Sequence, residues 1–489
     1  MADEAPKKKR RALFYALQAA LVVCLITAGV VVYRGWRFPD RQLSVPAAQT
    51  PEVDWDAAAK RLADSVRIQT ISRSAQGTRT SPLKREDAAA FRALHALMAR
   101  SYPKAHAALE RQVVAEHSLL YVWEGAEPGL PPVLLAGHLD VSTVPPGTQR
   151  TWTEPPFAGT VKDGVIWGRG ALDDKAFAFG VLEAVESMAL AGQRPRRTVL
   201  IALSHDQLRG GEVGARELAR VAGARAERFH AVVAEGMAIV QGFMPEIPAP
   251  IALVGVGEKG LASYRLRGEG EEALRQASEA LKAAPLPAVY SGPAVHQFEF
   301  LASELPFAVR LALANPWLFS GMLEGRIEGT PGADALIRTL VTSTSFPPGY
   351  DEATLPKGSV TVTYRLRPGD SLAAVREHAA GVLKETGVQL EELPGAYPAP
   401  PSSPIDSEAF RTLHETIEAV FPEAVVAPSL ALGSTDARHY QALSPNVYRF
   451  RPLVLGPADV GRTRGADERI RTEDYQRVVG FYHALLSAL

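Results

Sequence analysis

Two short segments carry side chains whose types and spacing suit a divalent cation. In VLLAGHLDV (Val133 to Val141) an apolar run reads as a buried strand delivering His138 and Asp140 from its C-terminal end, where open α/β sheets place their chemistry. In this H-x-D spacing Asp140 can hold one imidazole nitrogen and leave the other for a metal. Gly168, Arg169 and Gly170 then lead into Asp173 and Asp174, and a carboxylate at such a turn can bridge two ions. A His-x-Asp after a strand also suits a core or surface histidine. The two segments together are the more specific signal.

The order GHLDV, WTEPPF, GRGALDDK resembles the dizinc aminoacylase and carboxypeptidase family that includes succinyl-diaminopimelate desuccinylase and glutamate carboxypeptidase. ANPWLF (Ala314 to Phe319), IRTLVT (Ile337 to Thr342) and GSTDAR (Gly433 to Arg438) resemble its carboxypeptidase-S-like branch, whose members cleave or form N-acyl amino acids. The likeness runs from about Trp55 to the C-terminus. It implies a sheet layered between helices, an inserted lid that often pairs across a homodimer, two zinc ions sharing Asp173, and a cis peptide between Asp173 and Asp174. It also implies substrate contacts from Arg365 and Arg438 and from the loop Ser434, Thr435, Asp436. A lid-surface role for Arg365 is the alternative.

Against that pattern the chain departs where the chemistry is done. The family's general base and an adjacent ligand are neighbouring glutamates after a strand, and the matching residues here are Gln207 and Leu208. An amide cannot accept and pass on a proton near neutral pH, and leucine has no lone pair. An aspartate ligand is matched by Ala234. Glu235 stands one residue out of register, and strand alternation predicts it on the opposite face. The family's last ligand, a histidine, is matched by Arg464 in RTRGADERI. Of the ligand set only His138 and Asp173 remain, with Asp140 to orient the imidazole, whereas zinc usually takes at least three protein ligands. The expectation is therefore a protein without the family's zinc cofactor.

Arg464 is expected to take the vacant position and pair with Asp173. Otherwise Asp140, Asp173 and Asp174 would crowd one pocket uncompensated. The alternative puts Arg464 on a solvated loop. His205 and Asp206 read as a satisfied pair behind the site. The family's Gly-His-Ser-Ser lid loop has no counterpart after Leu266, which weakens the homodimer expectation, and a lid asparagine is matched by Glu352.

The elements that must position these residues read as an α/β fold: a central sheet between helices, a smaller inserted α/β lid and an N-terminal transmembrane helix. Helical patterns cover Trp55 to Val66 and Arg85 to Arg100, and another helix starts near Glu212. Strands cover Thr198 to Leu203 and Ala231 to Ala234. Catalytic-type segments 55–260 and 397–489 flank a lid, 261–396, with strands Ala262 to Arg267 and Ser359 to Leu366 and helices Glu271 to Ala283 and Leu372 to Lys384. Pro394 to Pro404 is the proline-rich return.

A basic tail, 1–11, precedes Ala12 to Tyr33, an uncharged stretch of 22 residues long enough to cross a core of about 30 Å. Five basic residues before the span against Arg34 and Arg37 after it put the N-terminus in the cytoplasm and the globular part outside. A buried soluble helix and a cleaved signal are the alternatives. Residues 34–54 read as a linker. With 46% hydrophobic residues and a net charge of -1, the chain has cores but no basic character, which argues against nucleic acid. Cys24 is the only cysteine, so neither an intrachain disulfide nor a cysteine zinc site forms.

Three functions fit these residues. One is a membrane-anchored pseudoenzyme that binds a peptide or N-acyl amino acid. The second is an active hydrolase rebuilt around His138, Asp173 and Glu235 or Asp206. The third is an assembly protein with an unused cleft.

Overall fold

A computed structural model of the chain describes residues 4–74, 79–328, 333–344 and 360–489. Four parallel strands form its centre, in the spatial order Val199–Ser204, Val133–His138, Ala231–Ala234, Val447–Arg449. All four are buried. Along Val133–His138 the side chains alternate between two cores, because successive residues of a strand face opposite sides of the sheet. Val133 and Leu135 pack with helices Trp55–Val66, Lys175–Leu190 and Thr472–Ala488, while Leu134 and Ala136 pack with helix Gly214–Gly223. The sheet is thus layered between helices, as its uninterrupted apolar strands require.

An antiparallel hairpin, Glu110–Val114 and Ser118–Trp123, extends one side of this sheet to ten strands in all, and Ile251–Glu258 carries the other. Ala115 and Glu116 form the hairpin turn with φ of 46° and 65°. Neither is the Asn or Gly that normally announces such a turn.

Residues 260–392 build a second, antiparallel sheet in the order Leu340–Thr344, Val360–Leu366, Gly260–Arg267, Gln389–Glu392. Helices Glu271–Ala283 and Leu372–Leu383 cover it through Leu274, Leu281, Val375 and Leu383. Glu352 lies outside the described residues, as does Ser359. The N-terminal helix runs from Glu4 to Trp36, well beyond the apolar stretch, since Lys and Arg are good helix formers. Its segment Leu13–Trp36 has a mean hydropathy of 2.3 and leaves nearly all of its apolar side chains exposed, long and apolar enough to cross a membrane.

Candidate functional site

The carboxyl ends of the four central strands converge on Asp173. His138 ends one strand, Gln207 and Leu208 follow the second, Glu235 follows the third, and Arg451 follows the fourth. The glycine-bounded turn before helix Lys175–Leu190 brings in Asp173 itself. Gly170 has φ of 91°, and a Cβ there would lie 2.6 Å from Val141, so a side chain is excluded twice over. The Asp173–Asp174 peptide is cis, as the resemblance implied.

Two guanidinium groups and an imidazole surround the Asp173 carboxylate. Arg464 Nε donates to Oδ2, Arg451 Nη1 donates to Oδ1 at 2.9 Å, and His138 Nε2 faces Oδ1 at 3.4 Å. Burial alone would push the Asp173 carboxyl up, but Arg464, His138 and Arg451 outweigh it and hold it well below the usual range. His138 shows the converse: burial disfavours its charge, yet the carboxylates of Asp140 and Asp173 raise it well above an ordinary histidine. Its Nδ1 contacts the Asp140 carboxylate at 3.1 Å, and that carboxylate also accepts from Ser72 Oγ and the Leu208 N–H, both at 2.9 Å. Burial, which disfavours the charged form, pushes the Asp174 carboxyl well above the usual carboxylate range.

This donor set does not suit a pair of zinc ions. His138 Nε2 is buried without a hydrogen-bond partner, and one imidazole and one carboxylate could face a cation. But both oxygens of that carboxylate already accept from guanidinium groups, Leu208 offers nothing, and among the described residues no three His, Cys, Asp or Glu side chains are placed to hold a metal. Ala234 points into the core beneath helix Gly214–Gly223.

The expectation for Glu235 needs correction. Its carboxylate is in the site, accepting from Gln207 Nε2 at 2.6 Å and lying 4.0 Å from Arg451 Nε. Alternation itself holds: Ala234 faces the core beneath helix Gly214–Gly223. Glu235, whose N–H still donates to the Ala136 carbonyl at 2.8 Å, faces the other way, which is the side the site is on. The Gln207 side-chain Oε1 in turn accepts from the Asp436 N–H at 3.2 Å. Asp206, by contrast, is fully committed to structure, accepting from the N–H groups of Val213, Gly214 and Ala215 at the start of a helix. His205 is held by Ser118 Oγ at 2.7 Å.

In front of Asp173, from Arg451 and Arg464, a cleft of about 280 Å³ runs to the second sheet. Its lining includes Arg79, Arg209, Arg365, Arg438, Arg451 and Arg464 against a single carboxylate, Glu235. Arg365 donates to Ser434 Oγ at 2.5 Å, as does the Tyr397 hydroxyl, and makes no ion pair among the described residues. Arg438 lies 4.5 Å from the Tyr397 ring centroid and donates to the carbonyls of Thr435 and Gly210. Thr435 lines the cleft while its hydroxyl donates to Glu258 at 2.7 Å.

Asp436 turns away from the cleft and accepts from Ser204 Oγ at 2.5 Å. Burial, then the Asp206 carboxylate, pushes Asp436 up to about 8. Its acid form is therefore retained on folding, while an unfolded aspartate ionises near pH 4. The stabilisation is complete below about pH 4, declines as pH rises and is gone above about 8. Asp436→Asn, neutral throughout, should accordingly gain on the wild type by at least about 1 kcal/mol between pH 5 and pH 9, measured by urea unfolding.

Two residues that organise the site carry no sequence signal. Arg451 sits in RFRPL with no motif around it. Glu468 is buried and accepts at Oε1 from the N–H groups of Gly170, Leu172 and Asp173 at 2.8, 3.0 and 3.1 Å, and at Oε2 from buried Arg169 at 2.6 Å.

A sheet layered between helices thus carries a charged cluster at its carboxyl edge, and a second sheet contributes Arg365. The chain belongs to Peptidase family M20/M25/M40, whose profile matches residues 134–488. It is 32% identical over 445 residues to the probable carboxypeptidase S-like 2 of Dictyostelium discoideum, covering 88% of this chain and 84% of that one. It is likewise 32% identical over 448 residues to the human N-fatty-acyl-amino acid synthase/hydrolase PM20D1, covering 88% and 87%. The fold resembles that of human carnosine dipeptidase 1, with a TM-score of 0.63 at 14% identity over 89% of this chain and 96% of that one.

Proposed function

We propose that the protein is a membrane-anchored member of this family that binds a carboxylate-bearing ligand, a peptide C-terminus or an N-acyl amino acid, without hydrolysing it by the family's dizinc route. The observation that carries this reading is the double guanidinium clamp on Asp173. A cation already fixed on that carboxylate competes with any dication, and Gln207 cannot act as the base that activates water. The ligand class follows from the charge of the cleft. A carboxylate entering it meets Arg365 free of any carboxylate partner among the described residues, with segment 261–396 acting as the cover. The names of the carboxypeptidase S-like and N-fatty-acyl-amino acid relatives support the same class.

Anchoring is supported by the helix itself. Val31 is buried, and its carbonyl accepts from the buried Asn315 Nδ2 at 3.0 Å, so removing the helix as a cleaved signal would expose Asn315. The basic block before the span supports an orientation with the N-terminus in the cytoplasm.

The test uses full-length protein in detergent. N-dodecanoyl glycine should raise the melting temperature, with no release of glycine and no effect of chelator. Arg365→Ala should weaken its binding about tenfold or more. The placement of Glu235 favours a rebuilt hydrolase as the second reading. Stoichiometric bound zinc with chelator-sensitive release of glycine would establish it and remove the first. No shift and no turnover would leave an assembly role.

A further inference from the structure

The anchor helix ends against an apolar surface that stays exposed among the described residues, with only Arg310 over the Phe307 ring. Val31 and Gly35 pack on helix Phe307–Leu313, and a Cβ on Gly35 would lie 3.0 Å from Leu311 Cα, so this glycine permits the close approach. The next helix, Pro316–Glu328, begins at the same place. Leu311 to Leu323 carries no charged residue. Three large apolar side chains within it face solvent: Trp317, Leu318 and Met322 are 57%, 51% and 56% exposed, and neighbouring Phe307 is 45% exposed. Gly321 has open space where a side chain would stand.

Depth along the anchor decides what can meet this surface. The apolar segment begins at Leu13. At about 1.5 Å per residue, a hydrocarbon core about 30 Å thick takes roughly 20 residues and ends near Val32. Val31, Gly35 and the helices packed on them therefore lie at the outer membrane–water boundary. That is the level where tryptophan and tyrosine side chains partition, and Tyr33, Trp36 and Trp317 are all exposed there.

We infer that Phe307, Trp317, Leu318 and Met322 form a second membrane contact, inserted into the outer leaflet of the bilayer that the anchor helix crosses, and hold the globular part against the membrane surface. The inference rests on the anchored reading, and the experiment separates the two. Full-length protein is placed at one copy per phosphatidylcholine nanodisc and labelled with a water-soluble maleimide. Wild-type Cys24, mid-span, reports the anchor. Met322→Cys and Glu385→Cys, each in a Cys24→Ser background, report the contact and an exposed position on the second sheet's side.

Cys24 should stay unlabelled, and Met322→Cys should label at least about tenfold more slowly than Glu385→Cys. Equal rates at the two introduced cysteines, with Cys24 still protected, would overturn the second contact and leave the anchor standing. Free labelling of Cys24 would overturn the anchor and this contact with it. Protection of Met322→Cys seen only with two copies per disc would assign the surface to self-association and overturn the inference.

Discussion

Replacing Asp173 by asparagine should lower unfolding free energy by about 3 kcal/mol, read by urea titration of the full-length protein in detergent. The substitution keeps the shape and removes the one charge on which His138, Arg451 and Arg464 converge. Arg451 is largely buried and would keep only the Gly236 carbonyl, 3.1 Å from its Nε, and a distant Glu235. His138 would lose one of its two carboxylates. Arg464 is nearly half exposed, so water compensates its loss and it adds little to the sum. A loss below about 1 kcal/mol would mean that Asp173 is not the central counter-charge of the site. Zinc added to either form should leave the midpoint unchanged.

A cost of about 3–5 kcal/mol is expected for Glu468→Gln. Glutamine keeps one oxygen for the three N–H groups of the Asp173 turn. Its amide nitrogen then confronts Arg169 Nη1, donor against donor, and Arg169 is 1% exposed with Trp152 over it. The double variant Arg169→Met, Glu468→Gln should recover more than half of the loss, because it removes the stranded charge. Double-mutant-cycle unfolding measures this directly, and simple additivity of the two losses would contradict the clamp.

The fold was legible wherever apolar periodicity was strong. Strand Ala231–Ala234 and helices Trp55–Val66 and Glu271–Ala283 lie where their patterns predicted. The hairpin Glu110–Val114 and Ser118–Trp123 went unread because its turn uses Ala115 and Glu116, which have no turn signature. In the site, His138, Asp140 and Asp173 were readable from spacing, while Arg464 was reached through the family resemblance, which put it at a ligand's place, and charge balance then favoured its contact with Asp173 over a solvated loop. Arg451 was not readable, because a lone arginine after a short strand looks like any surface cation. Glu468 was invisible for a different reason: its partners are mainly backbone N–H groups, which every sequence possesses. Glu235 was misplaced because the position of Ala234 was assumed to face the site, whereas it faces the core and its neighbour faces the site.

The strand Val447–Arg449 inserts between Ala231–Ala234 and Ile251–Glu258, and the residues just after it deliver Arg451, Arg464 and Glu468. Half the pocket wall thus comes from the final fifth of the chain, joined to partners nearly 300 positions earlier. During synthesis Asp173 waits without its guanidinium partners until Arg451 and Arg464 have been added, and contacts so distant in sequence form slowly. Closure of the charge cluster is in this sense one of the later events of folding, long after helix Glu4–Trp36 has been made.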